Sequence, residues 1–196
     1  MFTLHYKIDD TYKIEGKIVT FDMSFGNVLR FLDLSNDKTL NPRDKALITL
    51  AMITKDKVIF DDPESYAEVS KEFRRRVMSV TNKEEVKRDI KGNIMPEVKS
   101  ESDDNQQLYD LTHDAKYIYA SFVQAYNINL LEVQDNLHWY EFNALLTGLP
   151  DDTKFSQVLS IRGWKKSKGD SQERVNEMRR LQKVYRLPDR EEESHE

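Results

Sequence analysis

The sequence predicts a mainly α protein. It reads as a small N-terminal β-hairpin, then a bundle of short helices, then a protruding C-terminal amphipathic helix. Three observations lead there. Apolar residues recur at three- and four-residue spacing in segment after segment. A period of two is clear only in the first residues. Only six glycines occur in 196 residues, which leaves little room for a large β fold.

Phe2, Leu4 and Tyr6 alternate with Thr3, His5 and Lys7, so Phe2 to Ile8 is predicted as a half-buried strand. Asp9-Asp10 marks a turn. Tyr12 to Val19, interrupted by Gly16, supplies the partner strand. From Asp22 the period turns helical. Phe25, Val28, Leu29 and Leu32 share a face, with Asp22 or Ser24 as cap. Asn41-Pro42 opens the next helix with an N-cap and a proline where no amide hydrogen is needed. Its predicted buried stripe is Ala46, Leu47, Leu50, Ala51 and Ile53-Thr54. Asp61-Asp62-Pro63-Glu64 repeats the start signal, followed by Tyr66, Val69, Phe73, Val77 and Val80. Thr81-Asn82-Lys83-Glu84 resembles a capping box for one more short helix.

Composition divides the rest. Residues 1–90 form the hairpin-plus-helices module, and 91–108 form an acidic flexible linker without apolar periodicity. Residues 109–163 form an aromatic-rich helical core module. Leu111, Ala115, Ile118, Phe122 and Ala125 open it, with Asp110 or Thr112 as cap, and Asn127-Ile128-Asn129 breaks it. Leu130 to Val133 starts a second segment. Trp139, Phe142, Leu145-Leu146 and Leu149 carry a third, stopped by Gly148 and Pro150. Asp151-Asp152 caps a fourth, with Phe155, Val158-Leu159 and Ile161. Residues 164–196 are a charged tail. Asp170 or Ser171 caps its helix, which bears Val175, Met178, Leu181 and Val184-Tyr185, and Pro188 ends it.

The net charge is −5, with 33% charged residues and a mean hydropathy of −0.72. An acidic balance disfavours a general nucleic-acid binder. The absence of cysteine excludes disulfides, thiolate metal sites and a cysteine nucleophile. Residues 1–10 carry no basic-then-apolar leader pattern, and no apolar run reaches the roughly 20 residues that span a bilayer, so a soluble protein is expected.

Catalytic constellations are missing from the sequence. His5, His113, His138 and His195 form no His-Glu-x-x-His pattern. His138 and Glu141 offer two ligands at i and i+3 without an identifiable third, which reads as a polar helix rim. Acid–base work needs two carboxylates converging in a cleft. The pairs Asp9-Asp10, Asp61-Asp62 and Asp151-Asp152 sit at expected turns or helix starts, and Asp103-Asp104 sits in the linker. There is no Gly-rich phosphate loop and no Gly-x-Ser-x-Gly elbow. The expectation is therefore a non-enzyme without cofactor or metal. Two basic groups remain. Arg74-Arg75-Arg76 fans around a predicted helix. Arg162 to Arg190 holds ten basic residues against four acidic ones. A basic amphipathic tail helix can bind nucleic acid, membrane or an acidic partner helix; its apolar face favours a protein partner over bare phosphate, through Val175, Met178, Leu181, Tyr185, Arg179 and Arg180.

A family resemblance lies in three runs: Asp114-Ala115-x-x-Ile118-Tyr119-Ala120-Ser121-Phe122-x-Gln124-x-Tyr126-Asn127-Ile128-Asn129-Leu130, Leu137-His138-Trp139-x-x-Phe142-x-Ala144-Leu145-Leu146-x-x-Leu149-Pro150, and Thr153-x-Phe155 through Ile161-Arg162. Together they resemble the bacteriophage gene product fifteen family of tailed phages and prophages of Gram-positive bacteria. The N-terminal half fits more loosely. One departure is Asn127-Ile128-Asn129, where a Gly-Ile-Asp-type turn is expected; asparagine also tolerates left-handed geometry, so the turn is expected to survive.

The resemblance implies a tail-assembly chaperone that coats the tape-measure protein and leaves as tail-tube subunits polymerise. It implies the tape-measure protein as partner, with the major tail protein and self-association as further contacts, and no membrane. It implies action in the bacterial host cytoplasm and absence from the mature virion. In many phages a longer form arises by translational frameshifting. Two alternatives from other classes are a nucleic-acid-binding accessory protein using the basic segments and a structural tail component.

Overall fold

Thr11–Ile14 (β1) and Lys17–Thr20 (β2) pair antiparallel, with Thr11 opposite Thr20 and Ile14 opposite Lys17. Glu15 and Gly16 close the hairpin, with φ of 50° and 73°. Successive positive φ values suit a two-residue turn whose twist matches the strands. A computed structural model describes residues 4–56, 59, 60, 62–81 and 108–188. Both strands of the hairpin thus fall on the run expected to form its second strand, Tyr12 to Val19, with one more residue at each end. Residues 4–8 form no strand, and Leu4 and Tyr6 are 94% and 83% exposed. Gly16, read as an interruption, is the turn.

Seven helices follow among the described residues: α1 Phe25–Asn36, α2 Pro42–Ile53, α3 Pro63–Thr81, α4 Ala115–Tyr126, α5 Trp139–Thr147, α6 Lys154–Arg162 and α7 Gln172–Val184. The mainly α class with an N-terminal hairpin is observed. The 91–108 linker, apart from Leu108, and the helix expected after Thr81 lie outside the described residues.

Contacts divide the chain into two compact units. One comprises residues 1–95 and 131–145, the other residues 96–130 and 146–196. Composition grouped residues 109–163 together, whereas packing places Leu131–Leu145 with the N-terminal unit.

In the first unit, Asn41 caps α2 through its side-chain oxygen, 2.9 Å from the Asp44 N–H. Asp62 does the same for α3, 2.8 Å from the Ser65 N–H. Both starts are as the sequence predicts. Val19, Phe21, Val28, Ile53, Val69 and Phe73 are completely or almost completely buried. The rings of Phe21 and Phe31 meet Phe73 edge-on at 5.4 and 4.9 Å. The stretch before α5 is stitched into this unit by main-chain bonds: Phe25 N–H to Leu137 O, Gly26 N–H to Gln134 O, and Trp139 N–H to Met23 O. Glycine at position 26 suits this close approach, because a Cβ would sit 3.0 Å from the Gln134 carbonyl oxygen and the neighbouring chain would have to shift. Trp139 is buried, and its indole N–H donates to Val77 O at 3.1 Å. Residues 130–133, expected as a helical segment, form turns instead.

In the second unit, α4 packs on α6 and α6 on α7. Asn127 ends α4 in the left-handed region (φ 52°, ψ 34°), as expected. The cap of α6 is a correction. Asp151 and Asp152 are exposed and leave the first N–H groups alone; Phe155 N–H is instead satisfied by Ser121 Oγ on α4, at 2.9 Å. α7 is a second correction, since it is docked rather than protruding. Val175 is 1% exposed, and the Gln182 side-chain amide donates to the Ile161, Arg162 and Trp164 carbonyls at the end of α6. A helix end leaves such carbonyls without intrahelical partners, so a polar side chain can anchor α7 there.

Candidate partner-binding groove

The sequence of α2 after its cap, Arg43-Asp44-Lys45-Ala46-Leu47-Ile48-Thr49-Leu50-Ala51-Met52-Ile53, places apolar side chains on every side of the helix. Such a helix is ordinarily enclosed by its neighbours. Here only Thr49 and Ile53 are buried. Ala46, Leu47, Ile48 and Ala51 are exposed, Leu47 at 59% and Ile48 at 41%. The predicted buried stripe therefore holds only at Ile53. Neighbours cover α2 on one side, where it meets α1 and α3.

Between these three helices lies a groove of about 800 Å³. Phe31 on α1, Ala46 and Leu47 on α2, Phe60, and Tyr66 and Ala67 on α3 give it an apolar lining. Phe60 and Tyr66 meet edge-on at 5.2 Å, and the Tyr66 hydroxyl accepts from Phe60 N–H and donates to Phe60 O. That pair of hydrogen bonds ties Phe60 to α3. Lys45 Nζ donates to the carbonyls of Ser35 and Asp37 and ties α2 to the end of α1. Arg43, Lys45, Lys71 and Arg74 supply cationic lining groups, against Asp62 as the acidic one among the described residues. The Asp62 carboxylate is held below its ordinary pKa by the Ser65 backbone and hydroxyl donors. Arg74 lies 5.5 Å from the Phe31 ring centre and donates to Ser35 Oγ.

The Arg74-Arg75-Arg76 triplet is largely occupied by its own unit. Arg75 and Arg76 both donate to Glu72, and Arg76 also donates to Asp9 O and Thr11 O and lies over Phe21. The Arg75 bonds, first among the causes, hold the Glu72 carboxyl down to about 2. The His138–Glu141 pair is a helix start: Glu141 accepts from the His138 N–H, Tyr140 N–H donates to His138 Nδ1, and Nε2 lies 3.1 Å from Asp10 Oδ1. With Nδ1 accepting, Nε2 carries the proton and donates to Asp10. Asp9 accepts from Thr11 N–H and Oγ, a turn role that matches its sequence position. No group of three or more metal-binding side chains occurs among the described residues.

The tail residues singled out from sequence are split. Val175 faces the interior of the second unit, and Met178, Leu181 and Tyr185 are half-buried. The Tyr185 hydroxyl accepts from Lys154 Nζ, and its ring meets Tyr117 at 6.0 Å. Arg179 and Arg180 are exposed, and Arg180 pairs with Glu177. The apolar positions are thus engaged within the unit, and the two arginines remain at its surface. Arg162, counted with the basic tail, belongs to neither surface. Its guanidinium grips Asp114 at 2.6 and 2.8 Å and also donates to Leu108 O and Tyr185 O. Their side chains are 9% and 1% exposed.

Asp114 and Ser121, which the sequence shows only as motif positions, are buried connectors to Arg162 and to the start of α6. The groove was missed as well. Its signal was the excess of apolar residues on α2 over what one stripe needs. Among the described residues, no helix is long and apolar enough to cross a membrane.

The model of the family described as Bacteriophage Gp15 protein matches residues 4–187. No curated protein and no solved structure matches the chain. The match runs through both units, the groove and the Asp114–Arg162 connector alike, and the chain belongs to the Bacteriophage Gp15 protein family.

Proposed function

We propose that this phage protein is a tail-assembly chaperone that binds the tape-measure protein by protein–protein contact. It acts by contact rather than catalysis, in the host cytoplasm, and leaves before the virion is complete. The observation that carries this reading is the exposed apolar face of α2 beside an open groove. Exposed contiguous apolar surface marks interaction sites. A chaperone that must hold many similar segments and then release them suits an adaptable apolar surface. Membership of a bacteriophage family agrees with a role in particle assembly.

Co-expression with the tape-measure protein of the same phage is the test. The expected result is a clear rise in the soluble fraction of that protein. An unchanged soluble fraction overturns the proposal. Mass spectrometry of purified particles is expected to lack this chain; stoichiometric amounts there would make it a structural tail component instead.

A further inference from the structure

We infer that the groove between α1, α2 and α3 takes an amphipathic helix of a partner protein, with an apolar stripe seated on Leu47 and Phe60 and acidic residues flanking it. The inference rests on the chaperone reading and specifies the kind of segment that is held.

A groove bounded by three helices, with Phe31, Leu47, Phe60 and Tyr66 in its lining, suits an inserted helix anchored by side chains at i, i+3, i+4 and i+7. Leu47 and Ala67 line the groove from opposite walls, and both are exposed. Charge then selects the partner. The chain carries a net charge of −5, yet the described groove lining reverses that sign. Arg43 and Lys71 are exposed, and Asp62, the acidic lining residue, is spent on the start of α3. A like-charged helix would meet repulsion, whereas an acidic flank meets complementary charge.

The same charges count against a second copy. A two-fold pairing of this face with itself sets each patch against its duplicate. The cationic set Arg43, Lys71 and Arg74 would then face the same set on the other copy. Nucleic acid would answer the charge but not the apolar floor.

The experiment uses the full chain and two labelled synthetic helical peptides with the same leucine stripe, one flanked by glutamate and one by lysine. Fluorescence anisotropy is expected to give a Kd about tenfold lower for the glutamate peptide, a difference that a few rim charges can supply. The double variant Arg43→Glu, Lys71→Glu is expected to reverse that order. Both positions are exposed, so helical content by circular dichroism should match the parent. Leu47→Asp should weaken both peptides, and Arg179→Glu, Arg180→Glu should change neither.

Equal affinity for the two peptides overturns the inference. So does an unreversed preference in the double variant, displacement of the peptide by duplex DNA, or a dimer by sedimentation that the Leu47→Asp variant dissolves. The two proposals fail separately. If the tape-measure protein stays soluble with the Arg43→Glu, Lys71→Glu variant, the groove assignment falls and the chaperone reading stands. If peptide binding follows the charge rule while tape-measure solubility never responds, the reverse holds.

Discussion

α2 and α7 carry opposite sequence signals and meet opposite fates. α2 is apolar around its circumference, which reads as core, yet most of that surface is exposed. α7 is dominated by Glu, Arg, Lys and Gln, which reads as a detachable tail, yet it is pinned along α6. The contrast teaches that hydrophobicity sets what a helix can bury, while anchoring depends on which polar groups find carbonyls and counter-charges. α7 is held by Val175, by the Gln182 amide and by Arg162 reaching Tyr185 O. α2 is held by Ile53, Thr49 and the Lys45 tie, which leaves Leu47 and Ile48 over.

The strongest way to break this comparison is to remove the connector of the second unit. Arg162→Ala is expected to cost about 3–5 kcal/mol, because it leaves the Asp114 carboxylate buried without its counter-charge. Chemical denaturation measures this. The double variant Arg162→Met, Asp114→Leu should cost less than the single, since it leaves no orphan charge. A small loss for Arg162→Ala would mean that packing alone holds α7.

Next in size is the direct contrast between the two helices. Val175→Ala is expected to cost about 2 kcal/mol through lost burial and the cavity left behind. Leu47→Gln should stay within about 0.5 kcal/mol, as surface changes do, although leucine is the larger side chain. Thermal melts of the two variants decide it. A larger loss for Leu47→Gln would show that α2 is covered in solution.

The smallest effect sharpens the contrast between a buried and a half-open ion pair. Glu72 is held down to about 2, so its contribution is present above the ordinary glutamate pKa and is lost as pH falls toward 2. Arg75 is 68% exposed, so screening limits the contribution to about 1 kcal/mol. The stability gap between the parent and Glu72→Gln should therefore be widest at neutral pH and close between about pH 5 and pH 2. A gap independent of pH would mean that Glu72 acts through shape alone.

Local signals were legible where one stretch of chain satisfies itself. Asn41 with Pro42, Asp62 with Pro63, the Ser171 cap and the left-handed Asn127 all use groups within a few residues. The place of the hairpin is hard to see in the sequence, because Phe2 to Ile8 alternates more regularly than the residues flanking the Glu15-Gly16 turn. The cap of α6 was hidden because the acceptor for its Phe155 N–H, Ser121 Oγ, lies 34 residues away. The groove was legible only as a surplus: α2 has more apolar faces than a helix with two helical neighbours can bury.

By itself the sequence determined a mainly α chain, most of its helix starts, and a family signature in residues 114–162, because periodicity, capping and motif spacing are local properties. Tertiary structure alone decided that Leu131–Leu145 joins the N-terminal unit, that Arg162 seeks Asp114, and that α2 keeps an open face while α7 does not. The physical reason is that burial and ion pairing depend on which distant groups arrive at the same place. A charged helix with well-placed partners is retained, and an apolar helix with too few neighbours is left with surface to offer.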